Sequence, residues 1–346
     1  MHYLVTGHTG FKGSWLSLML QMQGHTVSGI SLDPLEKSLF NEANLSNLFQ
    51  NDLRIDIRNS AELSKAVKEI DPEIIIHLAA QPLVRESYKD PVGTFETNVL
   101  GTLNLLEATK AIASLRATLV ITTDKVYKNH NHLRGYVETD ELGGDDPYSA
   151  SKAAADIATQ SWVKSFATTP VAIARAGNVI GGGDWATDRI IPDLVNAYSS
   201  NQIPTLRYPY AIRPWQHVLD CLNGYIKLVD SMIKDGISGE WNFGPDLNEK
   251  HEVIDLVEVF AKAWGIQASD SAWTIEETKQ PHEAGYLLLD SNKARNSLGW
   301  DDKLSFDETV KWTAEWYLAK KETNYLERTE SQILRFLSVN KGLLGS

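Results

Sequence analysis

Short apolar runs alternate with segments of helical spacing over the first half of this chain. Residues 3–6, 26–31, 53–58, 74–81, 118–122 and 170–175 read as strands, several apolar at consecutive positions, as strands buried on both faces are. Between them, 14–20, 60–70 and 93–113 carry the spacing of helices packed along one side. Strand and helix in alternation predict an α/β fold built on a doubly wound parallel sheet, which takes its ligands at the carboxyl ends of the strands. Gly7, Asp56, Ala79 and Thr123 fall at such ends.

Past residue 175 the alternation loosens. A glycine-rich loop over 176–184 leads to a helix beginning in 188–194, a strand at 206–210, a helix at 219–234, a strand at 240–243, a helix at 253–264 and an apolar run at 287–290. The last helix, 305–321, is amphipathic, and its Trp312 and Trp316 at i, i+4 read as packing. No repeat and no low-complexity tether separates the halves. The expected organisation is a domain over 1–175 built on the parallel sheet and a smaller region over 176–346 that interleaves with it and returns some strands and helices to it; the motifs below make these the NAD-binding and the mainly substrate-binding parts.

Composition narrows the function classes. With 346 residues and a net charge of −12, the chain can bury the large core of an ordinary soluble globular protein and lacks the clustered cations of a nucleic-acid surface. Its one cysteine, Cys221, forms no intrachain disulfide and reads as a small buried hydrophobe. No apolar run is long enough to span a membrane and no leader pattern opens the chain, so the expected setting is cytoplasmic. No metal site is expected.

Two motifs carry chemistry. Gly7-His8-Thr9-Gly10-Phe11-Lys12-Gly13 lies between the first strand and the first helix, where backbone amides of a glycine loop approach a pyrophosphate at the positive end of the helix. Its spacing differs from Gly-x-Gly-x-x-Gly, which points to a subclass of the Rossmann-type fold. Tyr148 and Lys152 stand four apart on one helix, so a lysine ammonium near the phenol favours phenolate and makes Tyr148 a candidate proton acceptor.

The glycine loop, His77-Leu78-Ala79-Ala80, Asn98-Val99-Leu100-Gly101-Thr102, Tyr148-x-x-x-Lys152 and Arg175-x-x-Asn178, in this order, resemble the extended short-chain dehydrogenase/reductase family of nucleotide-sugar epimerases and dehydratases, over nearly the whole chain. Thr123-Asp124-Lys125 resembles the 4,6-dehydratases, and Asp124-Lys125 their CDP-glucose branch, as do Gln81-Pro82-Leu83-Val84-Arg85 and Pro281-His282-Glu283-Ala284. A 4-epimerase needs no acid and base after Thr123, and a dinucleotide-sensing regulator would have lost Tyr148 or Lys152; these two, and a 4,6-dehydratase of another nucleotide sugar, are the competing readings.

The resemblance implies an internal redox elimination on CDP-glucose. Tyr148, with Thr123 at the same oxygen, takes the C4 hydroxyl proton as hydride leaves C4. Lys152 lowers the Tyr148 pKa and binds the nicotinamide ribose. Asp124 is the acid for the departing C6 hydroxyl and Lys125 the base at C5. Cofactor contacts are expected from Gly7, Gly10, Phe11, Gly13, Asp33, Asp56, Ile57, Leu78, Ala79, Gln81 and Asn98. NAD is favoured, with NADP admitted because Ser31 occupies the usual place of the ribose-binding acid and Asp33 comes two residues later. Substrate contacts are expected from Asn178, Arg189, Tyr208, Arg213 and His282. The helices over 98–111 and 148–166 resemble the pair that makes a family homodimer, with a tetramer as the larger alternative.

Overall fold

The computed structural model describes residues 1–132, 134–266, 272–275, 286–319 and 324–339. Seven parallel strands form one sheet: β1 (His2–Thr6), β2 (Thr26–Ser31), β3 (Asp52–Arg54), β4 (Ile74–His77), β5 (Ala117–Ile121), β6 (Val171–Ala176) and β7 (Gly239–Phe243), in the order β7-β6-β5-β4-β1-β2-β3. Every residue of β4 and β5 is buried, as their unbroken apolar runs require of strands covered on both faces. β1 pairs with β2 on one side and β4 on the other, Tyr3 lying opposite both Val27 and Ile74. The strand order therefore reverses between β1 and β4. Connections leave this point in opposite directions, and a crevice opens at the carboxyl ends.

Several elements end earlier than the periodicity suggests, for local reasons. The third strand stops at Arg54, because Ile55 makes the last rung to the Ser31 carbonyl (3.0 Å) and the Asp56 carboxylate then accepts the backbone N–H of Arg58 at 2.9 Å, turning the chain. The expected helix over 93–113 begins at Pro91, capped by Asp90, passes through a π-helical turn at Glu96–Leu100 and closes at Thr109. The strand expected over 206–210 is only Thr205–Leu206, since Pro209 has no N–H for a ladder. The helix expected over 305–321 runs Phe306–Leu318 between a Ser305–Glu308 capping box and Ala319. A further helix, Tyr325–Ser338, lies beyond the elements read from the sequence and buries Ile333 and Phe336.

The C-terminal half contributes to both lobes. β7 extends the sheet past β6, and the helix Val218–Asp235 packs Leu222, Tyr225 and Val229 into the core shared with Trp15 and Met19. Cys221 is buried within it. Trp312 and Trp316 are buried too, as packing residues. A second cluster gathers the helices Ile190–Ser199, Val253–Trp264 and Phe306–Leu318 around Leu194, Phe260 and Val310. It forms the wall facing the crevice.

His77 and His217 are fully enclosed, and burial drives both imidazoles down to about 3, with the Lys152 charge adding to the effect at His77. An unfolded imidazole protonates near pH ~6.5. Below that value the unfolded chain binds two protons that the folded chain refuses, so their contribution to stability is complete above about pH 6.5 and declines toward about pH 3. At about pH 5 the loss should be of order 2 kcal/mol per histidine. Urea unfolding at about pH 7.5 and about pH 5 should show the midpoint fall; replacing His217 by Gln should remove part of that fall.

Candidate active site

The glycine loop is shaped by contact as well as by freedom. Gly7 has φ +75°, and a Cβ there would stand 2.7 Å from the Ala79 nitrogen; one on Gly13 would stand 2.2 Å from the Gly7 oxygen. Gly10 caps the helix Phe11–Met22, whose first turn contains no acid. Amides and the positive helix end thus face a cleft of about 960 Å3 lined by Gly7, Gly10, Phe11 and Gly13. Asp56, Ile57, Leu78 and Ala79 line its continuation.

Gln81 and Asn98 stand just behind this wall. The buried Asn98 side chain accepts from the Gln81 N–H at 2.8 Å and donates to the Gln81 carbonyl at 3.1 Å and to Ser151 Oγ at 2.8 Å. It ties the end of β4 to the Tyr148 helix. Asp33 stands outside the cleft, its side chain 91% exposed and 3.5 Å from Arg54 Nε. The position at the end of β2 is filled by Ser31 and Thr9, whose hydroxyls meet at 2.7 Å.

The centre of the cleft is built by two elements. β5 runs into Thr123, which caps a single turn over Asp124–Val126, and the helix Pro147–Phe166, capped by Asp146, brings Tyr148 and Lys152 opposite. Thr123, Asp124, Lys125, Tyr148 and Lys152 all line the cleft. Thr123 Oγ1 donates to Asp124 Oδ1 at 2.9 Å and also hydrogen-bonds the Tyr148 phenol. Asp124 is 2% exposed, and burial pushes its carboxyl up despite Lys125, Thr123 and Arg213. Its Oδ2 has no hydrogen-bond partner among the described residues. A protonated carboxyl in that position is a proton donor.

Tyr148 and Lys152 differ from the expectation. Burial pushes the phenol up to about 12, opposed by the Thr123 hydrogen bond and the Arg189 charge. Lys152 donates to the Ile121 carbonyl at 2.8 Å. Burial, then the Lys12 charge, lower its ammonium to about 8. In the protein alone, the lysine is therefore the group brought toward neutrality, and the tyrosine holds its proton. Behind them, Arg175 forks onto Asp156 of the same helix with two 2.8 Å bonds and donates to the Tyr127 hydroxyl at 2.8 Å, fixing the helix against the Asp124–Lys125 turn.

On the far side, Asn178, Arg189, Tyr208 and Arg213 line the cleft. The two-residue pairing of Val179–Ile180 with Gln216–His217, extended by the Gln216 N–H donating to the Asn178 carbonyl at 3.0 Å, joins the segments that carry Asn178 and Arg213. Arg189 is held by Asp184 at 2.9 Å, and Arg213 is buried. His282 lies outside the described residues. The sequence reading quotes Lys12 and Arg85 within motifs without giving either a role, and gives none to Asp193 and Arg207; all four line the cleft. A signal existed for Lys12, because a lysine in a first helical turn opposes the dipole unless an anion is near. Asp193 and Arg207 sit 14 positions apart with no motif to join them.

The family model described as GDP-mannose 4,6 dehydratase matches residues 4–313. A CDP-glucose 4,6-dehydratase of Salmonella typhimurium is 44% identical over 327 residues, covering 90% of each chain. A dTDP-glucose 4,6-dehydratase of Neisseria gonorrhoeae is 30% identical over 341 residues, covering 92% of this chain and 96% of that one. Among solved structures, a dTDP-glucose 4,6-dehydratase of Bacillus anthracis in complex with NAD superposes with a TM-score of 0.78 at 24% identity, covering 95% and 99% of the two chains. A UDP-glucuronic acid 4-epimerase of Bacillus cereus in complex with UDP-glucuronic acid and NAD gives 0.79 at 25%, over 92% and 99%.

Proposed function

Because this chain belongs to the GDP-mannose 4,6-dehydratase family, we propose that it is a hydro-lyase converting CDP-glucose to CDP-4-keto-6-deoxyglucose with NAD. The observation that carries this is the Thr123-Asp124-Lys125 turn facing Tyr148 across one cleft, with the Asp124 carboxyl pushed toward its acid form. An epimerase has no use for that acid. The 44% identity to the Salmonella CDP-glucose enzyme supports the nucleotide.

The cradle suits a dinucleotide, since no side chain can occupy Gly7 or Gly13 and no carboxylate opposes phosphate in the first helical turn. Gly7, Gly10 and Gly13 would hold the pyrophosphate of NAD there, and the nicotinamide would supply the means of moving hydride from C4 to C6. Tyr148 removes the C4 hydroxyl proton, aided by the donor Thr123. Lys152 holds the nicotinamide ribose and its charge offsets the developing phenolate. Lys125 takes the C5 proton acidified by the 4-ketone, and Asp124 gives its proton to the C6 hydroxyl as it leaves. Arg213 and Asn178 hold the diphosphate side, with Arg189 and Tyr208 near the nucleotide; Arg213 offers a fork of donors suited to phosphate oxygens.

The assembly we infer is a homodimer. Val92, Phe95 and Leu100 on the helices from Pro91 to Thr109, and Ile157 and Phe166 on Pro147–Phe166, are exposed apolar residues on helices that pack together, and a second copy would cover them. A cytoplasmic setting suits a nucleotide-sugar substrate; no described helix is long and apolar enough to cross a membrane.

Incubation with NAD and CDP-glucose should give a product with the alkaline absorbance of a 4-keto-6-deoxy sugar, at a rate well above those with UDP-glucose, dTDP-glucose or GDP-mannose. Accumulation of a C4 epimer instead would reverse the assignment of Asp124 and Lys125.

A further inference from the structure

The substrate side of the cleft contains an arginine whose partners do not satisfy it. Arg207 follows the short strand Thr205–Leu206 and lines the cleft at a side-chain exposure of 24%. Its Nη1 lies 3.5 Å from Asp188 Oδ1 and its Nη2 lies 3.8 Å from Asp193 Oδ2. Charge-assisted bonds of guanidinium to carboxylate are ordinarily ~2.7–2.9 Å. Arg175 and Asp156 in the same protein reach 2.8 Å twice. Asp188 is shared with Arg85 at 3.1 Å, so its negative charge is already divided. The Arg207 fork and the Asp193 carboxylate therefore stand side by side in the cleft, neither closed on the other.

Their position relative to the chemistry narrows what they face. If the sugar meets Tyr148 and Asp124, and the diphosphate meets the buried Arg213, the base must lie farther along, against the helix Ile190–Ser199 and the strand Thr205–Leu206. Ala197 and the largely buried Leu206 make the cleft lining apolar there. Asp193, in the first turn of that helix, and Arg207, just beyond that strand, are the charged pair at this end. Burial, with the neighbouring Asp188, holds the Asp193 carboxyl above its ordinary value against the charges of Arg207 and Arg85; as a carboxylate it is an acceptor.

We infer that Arg207 and Asp193 together read the pyrimidine base of the nucleotide sugar and select cytosine, an inference that rests on the CDP-glucose reading above. The edge of cytosine presents two acceptors, O2 and N3, and then a donor, the N4 amino group. A guanidinium offers two parallel N–H groups for the acceptors, and the adjacent carboxylate takes the amino hydrogen. Uracil and thymine present N3–H and O4 at the last two positions. The fork would then meet a donor and the carboxylate would meet an acceptor, two unfavourable contacts in place of two hydrogen bonds. Mismatched polar groups in such a site cost far more than a missing methylene does.

The test compares kcat and KM for CDP-glucose, UDP-glucose and dTDP-glucose in the wild type and in Arg207→Met, Arg207→Lys and Asp193→Ala. Both Arg207 variants should raise the KM for CDP-glucose by about 100-fold, the scale of one bidentate base contact, with kcat within about threefold. The ratio of kcat/KM between CDP-glucose and UDP-glucose should fall by at least about 30-fold. Asp193→Ala should weaken CDP-glucose by about 10-fold and reduce discrimination in the same direction. Lysine keeps the charge and loses the fork, so it separates base reading from phosphate attraction. Recovery of activity in Arg207→Lys, or an equal loss for all three substrates, would assign Arg207 to the diphosphate and overturn the inference. A wild type without preference for CDP-glucose would instead overturn the substrate reading beneath it.

Discussion

Tyr148→Phe should lower kcat by about 10³-fold or more, with little change in the KM for CDP-glucose. The substitution removes one oxygen from a cleft of about 960 Å3 in which the residues proposed to hold the diphosphate and the base lie elsewhere, so ground-state binding should survive. What is lost is the acceptor for the C4 hydroxyl proton, without which hydride cannot leave C4. The variant should therefore show no transient absorbance of reduced nicotinamide in a single turnover. Thr123→Val gives a graded version. The hydroxyl at Thr123 lowers the Tyr148 pKa, against a burial effect that pushes it to about 12. Removing the donor raises the phenol further, so the acid-side limb of the kcat profile should move to higher pH. A Thr123→Val profile unmoved from the wild type would dismiss Tyr148 as the titrating base.

Asp124→Asn should also cost about 10²- to 10³-fold in kcat, but at a different step. Asparagine keeps the shape and can still accept from Thr123; it cannot give a proton to the departing C6 hydroxyl. Oxidation at C4 should then proceed while elimination stalls, and reduced nicotinamide should accumulate within one turnover. Because burial holds Asp124 toward its acid form, wild-type activity should decline as pH rises through its elevated pKa, while the variant lacks that limb. Normal turnover in Asp124→Asn would move the acid role to another group. Exchange of C5 hydrogen with solvent in this variant would meanwhile support Lys125 as the independent base.

The sheet was legible because its strands are apolar on consecutive positions and its loops fall where glycine must. β2 and the helix Ser60–Ile70 match the pattern to the residue. The Tyr148–Lys152 pair and the Thr123 turn were legible as motifs, since helix spacing and strand ends place side chains without tertiary information. What periodicity cannot carry is contact between distant segments. Asn98 reads as a cofactor neighbour, yet its bonds go to Gln81 and Ser151. Asp33 has the chemistry of a ribose-binding acid, and what the sequence could not show is that its side chain stands exposed beside Arg54. The direction of the Tyr148 pKa was also out of reach, since four-residue spacing reveals nearness along a helix and says nothing of the Ile121 carbonyl that takes the Lys152 ammonium.

Thr123 has one hydroxyl hydrogen and two neighbours able to take it, the Asp124 carboxylate and the Tyr148 oxygen. It can serve as donor to only one of them at a time. With tyrosine neutral and aspartate charged, the hydrogen belongs to Asp124; with tyrosine charged and aspartate neutral, it belongs to Tyr148, and Asp124 keeps its own. The two anions therefore compete for a single donor, and forming one penalises the other. A single threonine donor at this position thus couples the two groups, so that a site with Tyr148 ionised and ready to accept favours Asp124 loaded to give.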